Sequence, residues 1–109
     1  MEVHKVLGPG FNEEVYHRSL ERELTLRDIP FVSERRIVVA YKDAPVAEYF
    51  LDLVVDQSII LELKAVSQLA SVHEAQLLSY LKASRLQLGI LINFGEASLK
   101  SKRIALSTK

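Results

Sequence analysis

Hydrophobic positions recur first at helical spacing and then in strand-sized runs, with a few Gly and Pro residues as punctuation. From Asn12, a residue suited to capping, the chain reads as a helix to about Arg27, with Tyr16, Leu20 and Leu24 on one stripe, and Pro30 stops it. Residues 31–41 (FVSERRIVVAY) and 46–55 (VAEYFLDLVV) are rich in β-branched and aromatic residues and flank the turn Lys42-Asp43-Ala44-Pro45, which predicts a hairpin. Asp56-Gln57-Ser58 turns the chain into a third strand over 59–66, antiparallel to the second. Ser71 with Glu74 has the form of a capping box, so a second helix is expected over 72–83. Residues 86–94 (LQLGILINF) form the apolar run of a strand buried on both faces, and residues 103–106 can add an edge strand after a turn at Gly95. The order αβββαβ, with an optional last strand, predicts an α+β fold with a mixed central sheet flanked by helices.

Composition narrows the picture. The 109 residues suit a single domain over 1–109, and 49% apolar with 26% charged residues is enough to fold without staples. The absence of cysteine excludes disulfides, thiolate catalysis and cysteine-ligated metals, and three histidines (4, 17 and 73) argue against a histidine-rich metal site. Fourteen basic and fourteen acidic residues cancel, so any nucleic-acid surface must be local; Arg35, Arg36, Lys82, Arg85, Lys100, Lys102 and Arg103 would form one if folding gathers them. No apolar run approaches the roughly 20 residues that span a bilayer, and no signal sequence opens the chain, so a cytoplasmic protein without membrane contact is expected.

The informative residues are charges where the pattern wants apolar groups, because a buried carboxylate is costly unless paired or bound to a cation. At 100° per residue Glu13 shares the stripe of Tyr16, Leu20 and Leu24 and is expected to face inward. On the second strand Asp52 shares a face with Phe50 and Val54; on the third, Glu62 and Lys64 lie opposite the apolar row Ile59, Leu61, Leu63 and Ala65. If Asp56 to Ser58 is a three-residue loop, the register sets Asp52 across from Glu62, with Cβ atoms about 5 Å apart. Two such carboxylates repel, and a divalent cation is the natural compensation; an exposed face with ordinary ion pairs is the plainer alternative. Gln76 and Tyr80 lie one turn apart on the second helix, on an arc with His73 and Leu77. His73 is expected to pack or cap and His17 to lie at the surface; Tyr41, Tyr49 and Phe50 are expected in the core, and His4 falls in a segment without a periodic signal.

An aspartate on the second strand, Glu-x-Lys on the third and a glutamate on the preceding helix resemble the PD-(D/E)xK nuclease superfamily. Gly10-Phe11-Asn12-Glu13-Glu14-Val15-Tyr16 reads G-x-x-E-x-x-Y. With Asp52-Leu53-Val54-Val55, Ile60 to Val66, His73 to Leu77 and Leu91 to Gly95, it resembles the GxxExxY family of that superfamily over about residues 3–106. The resemblance implies a restriction-endonuclease-like fold and hydrolysis of phosphodiesters with Mg²⁺ or Mn²⁺. It implies that Asp52 and Glu62 ligate the metal, with Glu13 as a further ligand or water-holder and the Leu63 carbonyl as a backbone ligand, and that Lys64 positions or activates water. Gln76 and Tyr80 match the Q-x-x-x-Y element of RecB-type members, which contacts substrate or orders the site. Leu51 stands where the superfamily's name has proline, and relatives usually carry a longer helical lead-in, so a truncated N-terminus is expected. The implied partner is nucleic acid, DNA before RNA, with a homodimer or a protein partner left open. A non-catalytic binding or interaction module that keeps the fold is the competing reading.

Overall fold

A computed structural model describes residues 1–106. Its order is α1 (Glu2–Leu7), α2 (Glu13–Leu26), β1 (Phe31–Tyr41), β2 (Ala44–Val55), β3 (Ile59–Lys64), α3 (Ser71–Ser84), β4 (Leu88–Asn93) and β5 (Lys100–Ala105). The expected αβββαβ series is present, preceded by α1, whose single buried residue, Val3, leaves too little periodicity to read. The five strands lie in the order β1-β2-β3-β4-β5; β3 and β4 are parallel, joined by the α3 crossover, and the other neighbours are antiparallel. The end of the predicted domain, residues 107–109, lies outside the described residues. No helix among the described residues is long and apolar enough to cross a membrane.

Both faces of the sheet are covered. Tyr16, Leu20 and Leu24 of α2, with Val3 of α1, pack on Leu53, Leu63, Ile92 and Phe94, while Leu77 and Leu81 of α3 pack on Leu51, Val54, Ile60 and Leu91. The apolar row predicted for β3 thus serves α2. The anchor of α2 explains the tyrosine of G-x-x-E-x-x-Y: fully buried Tyr16 stacks on Phe94 at 4.6 Å between centroids, donates to the Gly8 carbonyl at 2.6 Å and accepts from the Phe11 amide at 3.2 Å. Gly10, at φ 116°, permits the tight entry into the helix, and Asn12 caps it by accepting from the Val15 amide.

Several local expectations are corrected. The β1–β2 turn holds two residues, not four: Lys42 and Asp43, at φ 48° and 67°, make the left-handed pair that matches strand twist, so Tyr41 pairs with Ala44. The cap of α3 comes from His73, whose Nδ1 accepts from the Ala70 amide, while Glu74 reaches Lys102 at 3.0 Å; Ser71 already lies inside the helix. Tyr41 and Phe50 are exposed and only Tyr49 is half-buried, because the hairpin runs past β3, which pairs with β2 only at residues 53–55. The basic residues do not gather: Arg35 and Arg36 lie on one sheet edge, Lys100, Lys102 and Arg103 on the other, and Arg36 is paired with Glu48.

Past the end of β3 the chain is held by Asn93, which is fully buried. Its Oδ1 accepts from the amides of Val66 and Gly95, and its Nδ2 donates to the Val66 carbonyl and to Glu96. A Cβ on Gly95 would sit 2.3 Å from the Val66 carbonyl oxygen, so this close approach requires glycine. Asn93→Ala leaves these main-chain groups unpaired and should cost about 3 kcal/mol in chemical denaturation. A cost near that of an ordinary surface substitution would show that the clamp is dispensable.

Candidate active site

The β2–β3 register is the one expected from a three-residue loop: Val55↔Ile59, Val54↔Ile60 and Leu53↔Leu61. One step further, Asp52 faces Glu62 and side chains replace the main-chain ladder. Glu62 Oε1 accepts from the Asp52 amide at 3.0 Å, and the Leu63 amide donates to Asp52 Oδ2 at 2.8 Å. The alternation of β2 breaks at this point, since Leu51 and Val54, three residues apart, both pack on the α3 side. On β1, Glu34 takes a left-handed φ of 52° and drops out of the register between Ser33↔Leu53 and Arg35↔Leu51. Asp52 therefore does not share a face with Val54 as simple alternation predicts. It lines a cavity of about 510 Å³ together with Leu63, the α2 residues Glu13, Glu14, His17, Arg18 and Glu21, and the β1 residues Ser33 and Glu34.

The site residues predicted from sequence fall into three positions. Asp52 and Glu62 meet directly. Lys64 and Gln76 meet on the α3 side, where the lysine Nζ donates to Gln76 Oε1 at 3.2 Å, and Tyr80 packs its ring on Tyr49 at 5.1 Å between centroids. Glu13 does not face the core: as the first residue of α2 it is exposed, and it lines the same cavity as Asp52 from across the opening. His17 is not a surface residue either. It is half-buried, with Nε2 2.7 Å from Ser33 Oγ and 3.2 Å from Glu21, and the Ser33 hydroxyl also donates to Glu21. Sequence reasoning passed over this trio, although His17 and Glu21 at i, i+4 carried a signal; the partner on β1 is visible only after folding.

Electrostatics single out Glu62. It is 4% exposed, and burial, followed by the charge of Asp52, pushes its pKa up to about 8. Tyr80 is also raised, by burial first and then by the nearby Glu62 and Asp52. Because the folded pKa of Glu62 lies above its ordinary 4.5, the folded state binds the extra proton between those values. Metal-free stability should therefore fall as pH rises from about 4.5 to 8, by a few kcal/mol at most. Thermal melts in a chelator at pH 5.5 and 8.5 should show a wider gap for wild type than for Glu62→Gln. An equal gap would remove Glu62 as the titrating group.

Among the described residues no three His, Asp or Glu side chains converge as a ready-made metal cage. The donors at the ladder opening are two crowded carboxylates beside a main-chain segment, a hard, all-oxygen set. It fits an ion such as Mg²⁺ that retains much of its water.

A model of the PD-(D/E)XK nuclease superfamily matches residues 1–104. A search of curated proteins finds no significant match. Among solved structures, the chain is similar to the protein SSO0001, with a TM-score of 0.71 and 18% identity over 88% of this chain and 50% of that one. It is also similar to an alkaline exonuclease, LHK-Exo from Laribacter hongkongensis, with a TM-score of 0.51 and 9% identity over 88% of this chain and 57% of that one. At such identities the likeness is one of fold, and the chain spans about half the length of each protein. The fold is restriction-endonuclease-like, and with the family model matching nearly all of its length, this chain belongs to the PD-(D/E)XK nuclease superfamily.

Proposed function

We propose that the chain is a metal-dependent nuclease of the GxxExxY type that hydrolyses phosphodiester bonds of DNA in the cytoplasm. The observation that carries this reading is the ladder opening, where Asp52 and Glu62 are held against each other and Lys64 follows on the same strand. Asp52, Glu62 and the Leu63 carbonyl would hold Mg²⁺ or Mn²⁺. Such an ion, when bound, stabilises charge on the phosphorus oxygens and lowers the pKa of its water. Lys64, steadied by Gln76, places a compact positive charge with mobile donors at the scissile phosphate or the attacking water. Glu13 holds water across the cavity from Asp52, and Tyr80 walls the α3 side of the site.

Incubation of the purified protein with linear, circular and single-stranded DNA and with RNA, in Mg²⁺, Mn²⁺ or a chelator, tests the proposal. DNA cleavage that the chelator abolishes is expected. A second reading, a non-catalytic nucleic-acid-binding or protein-interaction module, is favoured by the neutral net charge and by the division of basic residues between opposite sheet edges. Retention of nucleic acid without cleavage under every condition would support it.

A further inference from the structure

Among the described residues, seven other than glycine have a positive φ. Six of them, Asp28, Lys42, Asp43, Asp56, Gln57 and Arg85, lie in turns or at a helix end; Glu34, at φ 52°, lies inside a strand. We propose that Glu34 is a positioning residue. Its left-handed backbone, locked from α2 by His17 and Glu21 through Ser33, makes the hairpin change faces and lays Asp52 against β3, the use of this for cleavage resting on the proposed role of Asp52 as an ion ligand.

Both strands of the hairpin change faces at the same step. Ser33 and Leu53 are a cross-strand pair on the α2 side, since Ser33 reaches α2 and Leu53 packs beneath it; in the pair Arg35 and Leu51, Leu51 packs under α3. Regular alternation would return residues two apart to one face, so Glu34 and Asp52 stand at the crossing, where a side chain can point toward the neighbouring strand. Asp52 does so: its Oδ2 accepts from the Leu63 amide, the place a main-chain carbonyl holds in a regular ladder. Without the crossing, the carboxylate would stand on one face of the sheet and leave that amide.

A glutamate in the left-handed region is strained and persists only where its surroundings over-determine it. Ser33 supplies the constraint. Its hydroxyl has a single proton, which goes to Glu21, so His17 Nε2 is the donor in the 2.7 Å contact with Oγ. That proton faces a carboxylate instead of the imidazole, the reverse of what a serine nucleophile requires. The half-buried trio is a tether from α2 to the residue that precedes Glu34.

Four variants of the whole chain separate backbone from side chain: Glu34→Gly and Glu34→Asn adopt the left-handed conformation readily, Glu34→Val resists it, and Ser33→Ala removes the tether. Two readouts apply: Mn²⁺ affinity by titration, and hydrogen exchange of the Leu63 amide, read against the amides of β4 as a gauge of global opening. The Gly and Asn variants should bind Mn²⁺ within about twofold of wild type and keep the Leu63 amide protected. Glu34→Val should lose about 10–100-fold in affinity together with that protection, and Ser33→Ala should lose part of both. Wild-type behaviour of Glu34→Val would overturn the proposal. So would a Gly variant as impaired as Val, which would assign the effect to the carboxylate. If circular dichroism shows Glu34→Val unfolded, Ser33→Ala decides, and an unchanged Leu63 amide there overturns the tether. A wild type that binds no Mn²⁺ would refute the ion reading of Asp52 alone, and the Leu63 amide would then decide its positioning.

Discussion

Lys64→Ala should lower single-turnover cleavage by about 10²–10⁴-fold while divalent-ion affinity stays near that of wild type. The lysine is no metal ligand, and its nearest partner is the Gln76 side chain, so the substitution removes a charge useful in the transition state without disturbing the carboxylates. Metal titration and cleavage rates on one substrate separate the two effects, with Lys100→Ala as a control on an exposed β5 charge. Wild-type turnover in Lys64→Ala would sink the nuclease mechanism and promote the binding module. Loss of ion affinity together with turnover would make Lys64 a group that balances the carboxylates.

Asp52→Asn should abolish cleavage and remove the rise in melting temperature that Mg²⁺ or Mn²⁺ confers by binding the native state. The metal-free variant should melt no lower than wild type. Asparagine keeps an oxygen able to accept from the Leu63 amide, and the repulsion that helps hold Glu62 in its protonated form disappears. Melting curves with and without Mn²⁺ check both halves. A variant that melts several degrees lower without metal would show that Asp52 serves the fold rather than an ion, and an unchanged wild-type curve at millimolar Mn²⁺ would count against the site itself.

How much of this was legible in the sequence depended on whether the cause was local. The three-residue loop Asp56 to Ser58 set the register that brings Asp52 to Glu62, and the bounds of β1 followed from its β-branched and aromatic residues flanked by a turn and Pro30. The break of alternation between Leu51 and Val54 was not legible, because it depends on Glu34, eighteen positions before Asp52, leaving the neighbouring register. Period-two reasoning therefore gave the right partner for Asp52 and the wrong face. Glu13 shared the helical stripe of Tyr16, but a stripe has a direction and no length; its buried part begins at Tyr16, so Glu13, three residues earlier, is exposed at the cavity. Tyr41 and Phe50 misled for the same reason, since aromatic composition does not reveal that a hairpin outruns the strand beside it.

The side chains that replace the β2–β3 ladder belong to residues ten apart, in strands joined by a three-residue loop. Closing so short a loop costs little chain entropy, whereas the parallel β3–β4 pairing must wait for the whole α3 crossover to be ordered. Connectivity therefore sorts the site by timescale: the Asp52–Glu62 pair can meet as a local hairpin, while the Asn93 clamp and the Gln76 contact belong to the later, non-local docking. Substitutions at Asn93 should act on the completion of the sheet, and those at the carboxylates chiefly on the proposed cleavage, so the two classes of variant should separate in a folding measurement.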